Sequence, residues 1–308
     1  MNFITNDLIK TVSDFADLAE IEGSAYNIRE NGSCAARMST ENITIENKQD
    51  APGIVINVKP GTKGEKVYIP ACVTQGAIDD LVYNDFIIGE DADVTVIAGC
   101  GVHTDDEGHS SHNGIHRFTL EKNAKVLYVE KHIGTGEGSG KKRIDPVTDI
   151  ILKEGSCLTM DTVQLGGVDV STRKTYAVLD KNAKLIVSER IMTNGEEKAR
   201  TDFDVILRGE DSGADLVSRS VARGNSHQEF YSKIVGNVRC SGHSECDAIL
   251  AENGTVTAAP SLEAGHIDAA LIHEAAIGKI AGEQILKLRT LGLTEEEAEQ
   301  KIINGFLQ

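Results

Sequence analysis

Thiols, imidazoles and carboxylates concentrate in two stretches of this 308-residue chain. The later one runs from Cys240 to Ile280 and holds two of the six cysteines and three of the nine histidines. Cys246 and Asp247 open an apolar run, Glu252-Asn253-Gly254 makes a turn, and a second extended run passes through Pro260 and Leu262. His273-Glu274 follows on the lip of a run with helical spacing. A thiolate, an imidazole and a carboxylate on adjacent elements bind a transition metal or move protons. Cys240 and Cys246 have five residues between them, His243 included. Four cysteines would close a site around zinc or a permanent cluster, whereas two thiols leave it incomplete, which suits a metal that must depart. The plainer reading of the same pair is two small buried residues in neighbouring strands.

The earlier stretch gathers Cys100, His103, Asp105, Asp106, Glu107, His109, His112 and His116, one cysteine and four histidines within seventeen residues. Its composition is that of a metal site, but a zinc module wants two tight ligand pairs and this spacing has none. A surface loop with incidental histidines, a second metal site and the centre of a zinc-dependent enzyme all remain open. Nearby, Gly134-Thr135-Gly136-Glu137-Gly138-Ser139-Gly140-Lys141-Lys142 imitates a phosphate loop. It puts Thr135 where glycine is required and Lys142 where Ser or Thr is required. A flexible loop between structural repeats is expected there, and no nucleotide site of the chain's own.

Composition narrows the partners. With 31 basic and 48 acidic residues the net charge is -17, which repels nucleic acid and anionic membranes alike. No apolar run is long enough for a signal core or a membrane span, so the chain reads as cytoplasmic. The cysteines form no C-x-x-C pair and no disulfide framework, and are expected to be reduced. There is no Trp, aromatics make up 4%, and there are 30 glycines, a balance that fits stacked short strands.

Those strands must position the polar groups. Leu8, Val12, Phe15, Ala16 and Ala19 share a helical face over residues 6–20, with Asn6 as N-cap. Gly23 to Gly32 reads as a turn-rich link, and Ile43-Thr44-Ile45 and Ile54-Val55-Ile56-Asn57-Val58 read as strands. A motif of two or three strand residues, a charged or Gly/Asn turn and a small residue then recurs from Phe86, Phe118, Ile150, Ala177, Val205 and Ala248. Its starts are 32, 32, 27, 28 and 43 residues apart. A repeat of this length without intervening helices predicts a parallel β-solenoid; an antiparallel sandwich is the competitor. After His273 the period becomes helical through Ile277, Ile280, Ala281, Ile285 and Leu288. Gly292 is placed for a C-cap, and Thr294 with Glu297 for a capping box. The expected divisions are 1–30 for helix and link, 31–271 for the solenoid, and 272–308 for helices that cap its end or dock a partner.

The later stretch also resembles a known family. Cys246-Asp247, Ala259-Pro260-Ser261-Leu262-Glu263, His273-Glu274-Ala275, Gly278-Lys279-Ile280, Glu283-Gln284, Leu291-Gly292-Leu293 and Ile303-Asn304-Gly305-Phe306 resemble, in order and spacing, the C-terminal signature of the SufB/SufD proteins. Ala25-Tyr26-Asn27-Ile28-Arg29 and Ala98-Gly99-Cys100-Gly101 extend the likeness toward the short stand-alone SufB-like form. The resemblance implies a right-handed parallel β-helix acting as a scaffold, without enzymatic activity, on which iron-sulfur clusters are transiently built and passed to acceptor proteins. It further implies a SufC-type ATPase partner and a homodimer joined at the C-terminal end of the solenoid. Cys246, His273 and Glu274 become the expected cluster ligands, with Cys240 as an additional thiolate; Cys100, His103, His109, His112 and His116 are second-tier metal candidates. Larger relatives carry a sulfur-accepting cysteine near the position of Tyr176-Ala177, where this chain has none, and Cys157 one repeat earlier is the possible substitute. The long N-terminal region of those larger forms also has no counterpart here. A β-helix polysaccharide lyase or hydrolase is a further rival to the scaffold, as is the zinc enzyme centred on Cys100 to His116.

Overall fold

Alternation governs most of the chain between Gly53 and Ala248. Strands such as Ser110–Leu120, Val170–Leu179 and Lys198–Leu207 bury every second side chain, so each has one face on a core and the other on solvent. In the computed structural model, which describes residues 3–15 and 17–307, these strands stack in parallel register into two facing ten-stranded sheets. The chain crosses from one sheet to the other and back about eight times. This is the parallel β-solenoid, and the parallel pairing of successive coils excludes the antiparallel sandwich.

The corners explain the repeat. Asp91, Asn123, Gly155 and Asn182 adopt positive φ of 57, 57, 71 and 58° at one corner of successive coils, a backbone region open mainly to Gly, Asn and Asp. Leucine or isoleucine just ahead of each corner stacks inward in register, from Ile88 to Leu120, Leu152, Leu179 and Leu207. Inside, Phe86 lies flat on Phe118 at 4.2 Å, and Tyr128 meets Phe118 edge-on at 5.1 Å. Few aromatics suffice because a stack of identical coils brings the same position of each into contact with the next. The repeat beginning at Ala248 belongs to the opposite corner, where Glu252 has positive φ, and this accounts for its long separation from Val205. The coil that continues the series passes through Ile234, in register with Val205.

The glycine-rich run is a corner as well. Its amides at Gly138 and Gly140 donate to the carbonyls of Thr104 and Asp106 on the coil below. A Cβ at Gly138 would come within 2.4 Å of Asp106 backbone oxygen. Close backbone approach, and no phosphate, requires glycine there; the loop is tied down by hydrogen bonds instead of free.

At the N-terminal end α1 (Phe3–Ser13) lies across the outer face of one sheet, burying Leu8, Ile9 and Val12. Gly99 and Gly101 form its seat: a Cβ on Gly99 would stand 2.5 Å from the Val12 carbonyl oxygen. The helix is shorter than residues 6–20. Asn6 is inside it, Asp14 ends it in a left-handed conformation with φ 60°, and Ala19 is exposed in a separate 3₁₀ turn capped by Asp17. Ala16 lies outside the described residues. The expected link over 23–32 is instead the strand Ala25–Glu30, paired antiparallel with Ser33–Met38 and parallel with Lys63–Val73. Ile43–Asn47 pairs antiparallel with Gly53–Val58 on the other sheet.

At the C-terminal end the strand Ala269–Gly278 continues past residue 272, so His273-Glu274 is mid-strand and the helical segment starts later, at α2 (Gly282–Thr290). α3 (Glu295–Phe306) begins with the expected Thr294–Glu297 capping box. Gly292, with φ 97°, follows α2 as its C-terminal break.

Candidate functional site

Strand parity decides which of the expected ligands can meet. In Cys240–Leu250 the inward residues are Cys240, Gly242, Ser244, Cys246 and Ala248, while His243, Glu245 and Asp247 face out. The neighbouring strand lies in register, Ser244 opposite His273, Glu245 opposite Glu274 and Cys246 opposite Ala275. Cys246 and His273 therefore share the inner face, one step diagonal from each other, whereas Glu274 is on the outer face. Cys240 is also inward, but six residues along an extended strand is about 20 Å. Within one chain the two thiols cannot share a cluster, and the expectation that Cys240 assists Cys246 is corrected by that distance. Cys240 packs in the core against Gly236, whose added Cβ would approach its Sγ to 2.6 Å.

Cys246 is buried, and its thiol is pushed up to about 12 by burial first, then by the charges of Glu189 and Asp247. The thiol is therefore neutral near pH 7, and a metal ion binding there would have to displace its proton. Nδ1 of His273 is shielded from solvent with no hydrogen-bond partner among the described residues. A buried ring nitrogen without a partner is costly unless something binds it.

These groups stand at the solenoid's uncovered end. Both terminal strands, Thr255–Ala264 and Ala269–Gly278, are largely exposed along their length. Ile267 is 95% exposed and Ile272 55%. The C-terminal helices do not cover this end. They flank it, with Ile302 and Phe306 of α3 facing Ala248, Ile277 and Ile280 across a cleft of about 710 Å³. No residue of α2 is buried, and only Ala298 and Ile303 of α3 are.

The earlier stretch is taken apart by the same parity. Cys100, His112 and His116 point into the solenoid and are buried, His103 sits at its rim against Thr135 and Asp105, and His109 is exposed, accepting the Lys141 N–H at 2.8 Å. His112 and His116 are strand residues, not part of a surface loop. His112 Nδ1 meets Asp80 at 2.9 Å, and Asp80 is clasped by Arg29. Burial drives the His116 pKa down to about 4 and the Cys100 thiol far up. Among the described residues these side chains form no group of three ligand atoms within 4.8 Å, so the stretch that looks dense in sequence is dispersed over the inside, rim and outside of the coil. Cys157 opens an outward position between Lys125 and Lys184, away from the interior that holds Cys246.

Sequence reasoning missed a buried polar ladder inside the middle coils. Arg173 Nη1 donates to Glu130 at 2.6 Å and its Nε lies 3.3 Å from Glu189. Glu189 accepts from Ser218 at 2.8 Å and from Thr201 at 3.1 Å, and Ser218 is in register with Cys246. Burial alone would raise Glu130, yet His132 and Arg173 hold it well below the carboxylate range. Burial outweighs Arg173 at Glu189 and raises it. The one available signal was polar residues at the parity of the core, as in Tyr128, Glu130 and His132.

Comparison with known proteins identifies the family. A family model described as "SUF system FeS cluster assembly, SufBD core domain" matches residues 82–306, which include Cys246, His273 and Glu274. An iron-sulfur cluster assembly SufBD family protein of Archaeoglobus fulgidus is 31% identical over 263 residues, covering 84% of this chain and 69% of the relative. One from Methanothermobacter thermautotrophicus is 28% identical over 262 residues, covering 83% of this chain and 62% of its own. Another, from Methanocaldococcus jannaschii, is 28% identical over 276 residues, covering 87% and 85% respectively. With a core-domain match over most of its length and the solenoid that carries it, the chain belongs to the SufBD family of iron-sulfur cluster assembly proteins.

Proposed function

We propose that the chain is a scaffold on which iron-sulfur clusters form at the uncovered end of the solenoid and from which they are handed to acceptor proteins. The observation that carries this is the placement of a buried thiol, Cys246, beside an unpartnered imidazole nitrogen, His273 Nδ1, in the last two coils. Thiolate holds iron firmly, and imidazole holds it more reversibly. Glu274 lies on the other face of the terminal strand, whose free edge lets both faces reach a common boundary, and it supplies a third, yielding ligand there.

The free edge also argues for a second copy. Exposed strands with unpaired backbone groups and apolar side chains invite pairing, and a two-fold homodimer would cover them while enclosing the cluster between protomers. A SufC-type ATPase docks on the flanking helices, where Leu286 and Leu291 are 62% and 73% exposed. Movement of two such subunits would open or close the shared site. The setting is cytoplasmic, consistent with six free cysteines.

Anaerobic purification followed by iron and acid-labile sulfide analysis tests the scaffold reading. Iron and sulfide in matching amounts are expected after reconstitution. Stoichiometric zinc with no sulfide, or no metal uptake at all, would contradict it.

A further inference from the structure

The outer face of the strands that carry Cys246 and His273 holds a second constellation. His243 and Glu245 project from Cys240–Leu250 two residues apart, and Glu274 projects from the next strand opposite Glu245. One ligand atom from each of the three lies within 4.8 Å of the others. Donors bound to a single ion at roughly 2.0–2.2 Å stand about 3–4 Å apart, so small side-chain rotations close the set.

The imidazole is aimed. His243 Nδ1 is 2.8 Å from Oδ1 of Asp215, which lies beside it in register on the strand Gly213–Ala222. A proton held on Nδ1 by that carboxylate leaves the Nε2 lone pair free, and Nε2 faces Glu274 Oε2 at 3.6 Å. A carboxylate behind an imidazole is how metal-binding histidines are fixed in tautomer and orientation. The group differs from a loose acidic surface in having this directed nitrogen and in standing on three hydrogen-bonded strands.

We propose that His243 Nε2 and the carboxylates of Glu245 and Glu274 bind one divalent first-row cation, with Asp215 as the positioning residue. One imidazole and two carboxylates suit ferrous, manganous or zinc ions and disfavour soft cuprous copper. Its use follows from its location, one strand thickness from the inward thiol of Cys246. Ferrous iron captured here on nitrogen and oxygen ligands is held at the mouth of the cluster site before sulfide is present. The site stands on its own geometry, and only this use rests on the scaffold reading.

Mn(II) titrated into the metal-free full-length chain, with free Mn(II) read by electron paramagnetic resonance, tests the site. One Mn(II) per chain is expected. His243→Ala, Glu245→Gln and Glu274→Gln should each weaken binding roughly tenfold or more, and Asp215→Asn by about tenfold, all with unchanged far-UV circular dichroism. Asp215→Asn should in addition alter the visible d–d spectrum of the Co(II)-loaded chain, which a merely structural role would not do. Cys246→Ser should leave Mn(II) affinity unchanged even though it abolishes cluster formation, which separates failure of this site from failure of the scaffold reading. Mn(II) binding that survives His243→Ala and Glu245→Gln at full strength, or that is lost in Cys246→Ser, overturns the proposal.

Discussion

At its N-terminal end the solenoid carries α1 on the outer face of one sheet and an antiparallel strand at the edge of each sheet, while at its C-terminal end the last two strands lie bare. The coils from there through the middle fill their interior with stacked rings and an ion ladder: Phe86 on Phe118, then Glu130, Arg173 and Glu189. The open end spends its interior on small and unpartnered groups, Cys246, Ala275 and a His273 nitrogen with nothing bonded to it. Both regions hold a buried ring nitrogen without a hydrogen-bond partner among the described residues, His116 Nδ1 and His273 Nδ1, but His273 stands on an exposed terminal strand whereas His116 is enclosed by its neighbours. Under the proposed function, stability and cluster binding would be divided along the solenoid axis, since a stack of coils passes each coil's packing only to its neighbours.

The largest expected effect lies in the middle coils. Arg173→Met leaves Glu130 and Glu189 buried without their shared cation, and breaking a buried ion pair in this way costs about 3–5 kcal/mol. Thermal or urea unfolding should show a loss of that order, partly recovered by adding Glu189→Gln. A loss under about 1 kcal/mol would mean that the ladder is not what holds the middle coils together.

A much smaller effect on folding is expected at the open end. Deleting residues 290–308 removes α3, which buries only Ala298 and Ile303, so the β-sheet circular dichroism and the unfolding midpoint should move little. Co-purification with the SufC-type ATPase should nevertheless disappear. A truncated chain that stays folded and retains the ATPase would place the docking surface elsewhere.

The solenoid was legible because its corners need residues that tolerate positive φ, and Asp91, Asn123, Gly155 and Asn182 announce themselves at that spacing. The coil through Ile234 was invisible for the same reason: Asn237, Val238 and Arg239 turn its corner with no positive φ, so the signature is absent. The onset of helix after His273 was misplaced because an exposed terminal strand such as Ala269–Gly278 loses the in-out contrast that marks a strand. At the candidate site, residue types were readable but their faces were not. Cys246, Asp247, His273 and Glu274 stand out by chemistry, yet only the register of two strands shows that Cys246 and His273 face inward while Glu274 joins His243 and Glu245 outside. The histidines at 103, 109, 112 and 116 misled in the same way, since proximity in sequence disperses across the inside, rim and outside of one coil.

Seating of the cluster at the open end through Cys246 is best tested by anaerobic reconstitution of Cys246→Ser beside the unaltered chain. Iron, sulfide and visible absorption are measured on material shown by circular dichroism to be folded. A folded variant with no stable cluster is expected. A Cys246→Ser chain that reconstitutes with unchanged iron, sulfide and absorption would contradict it.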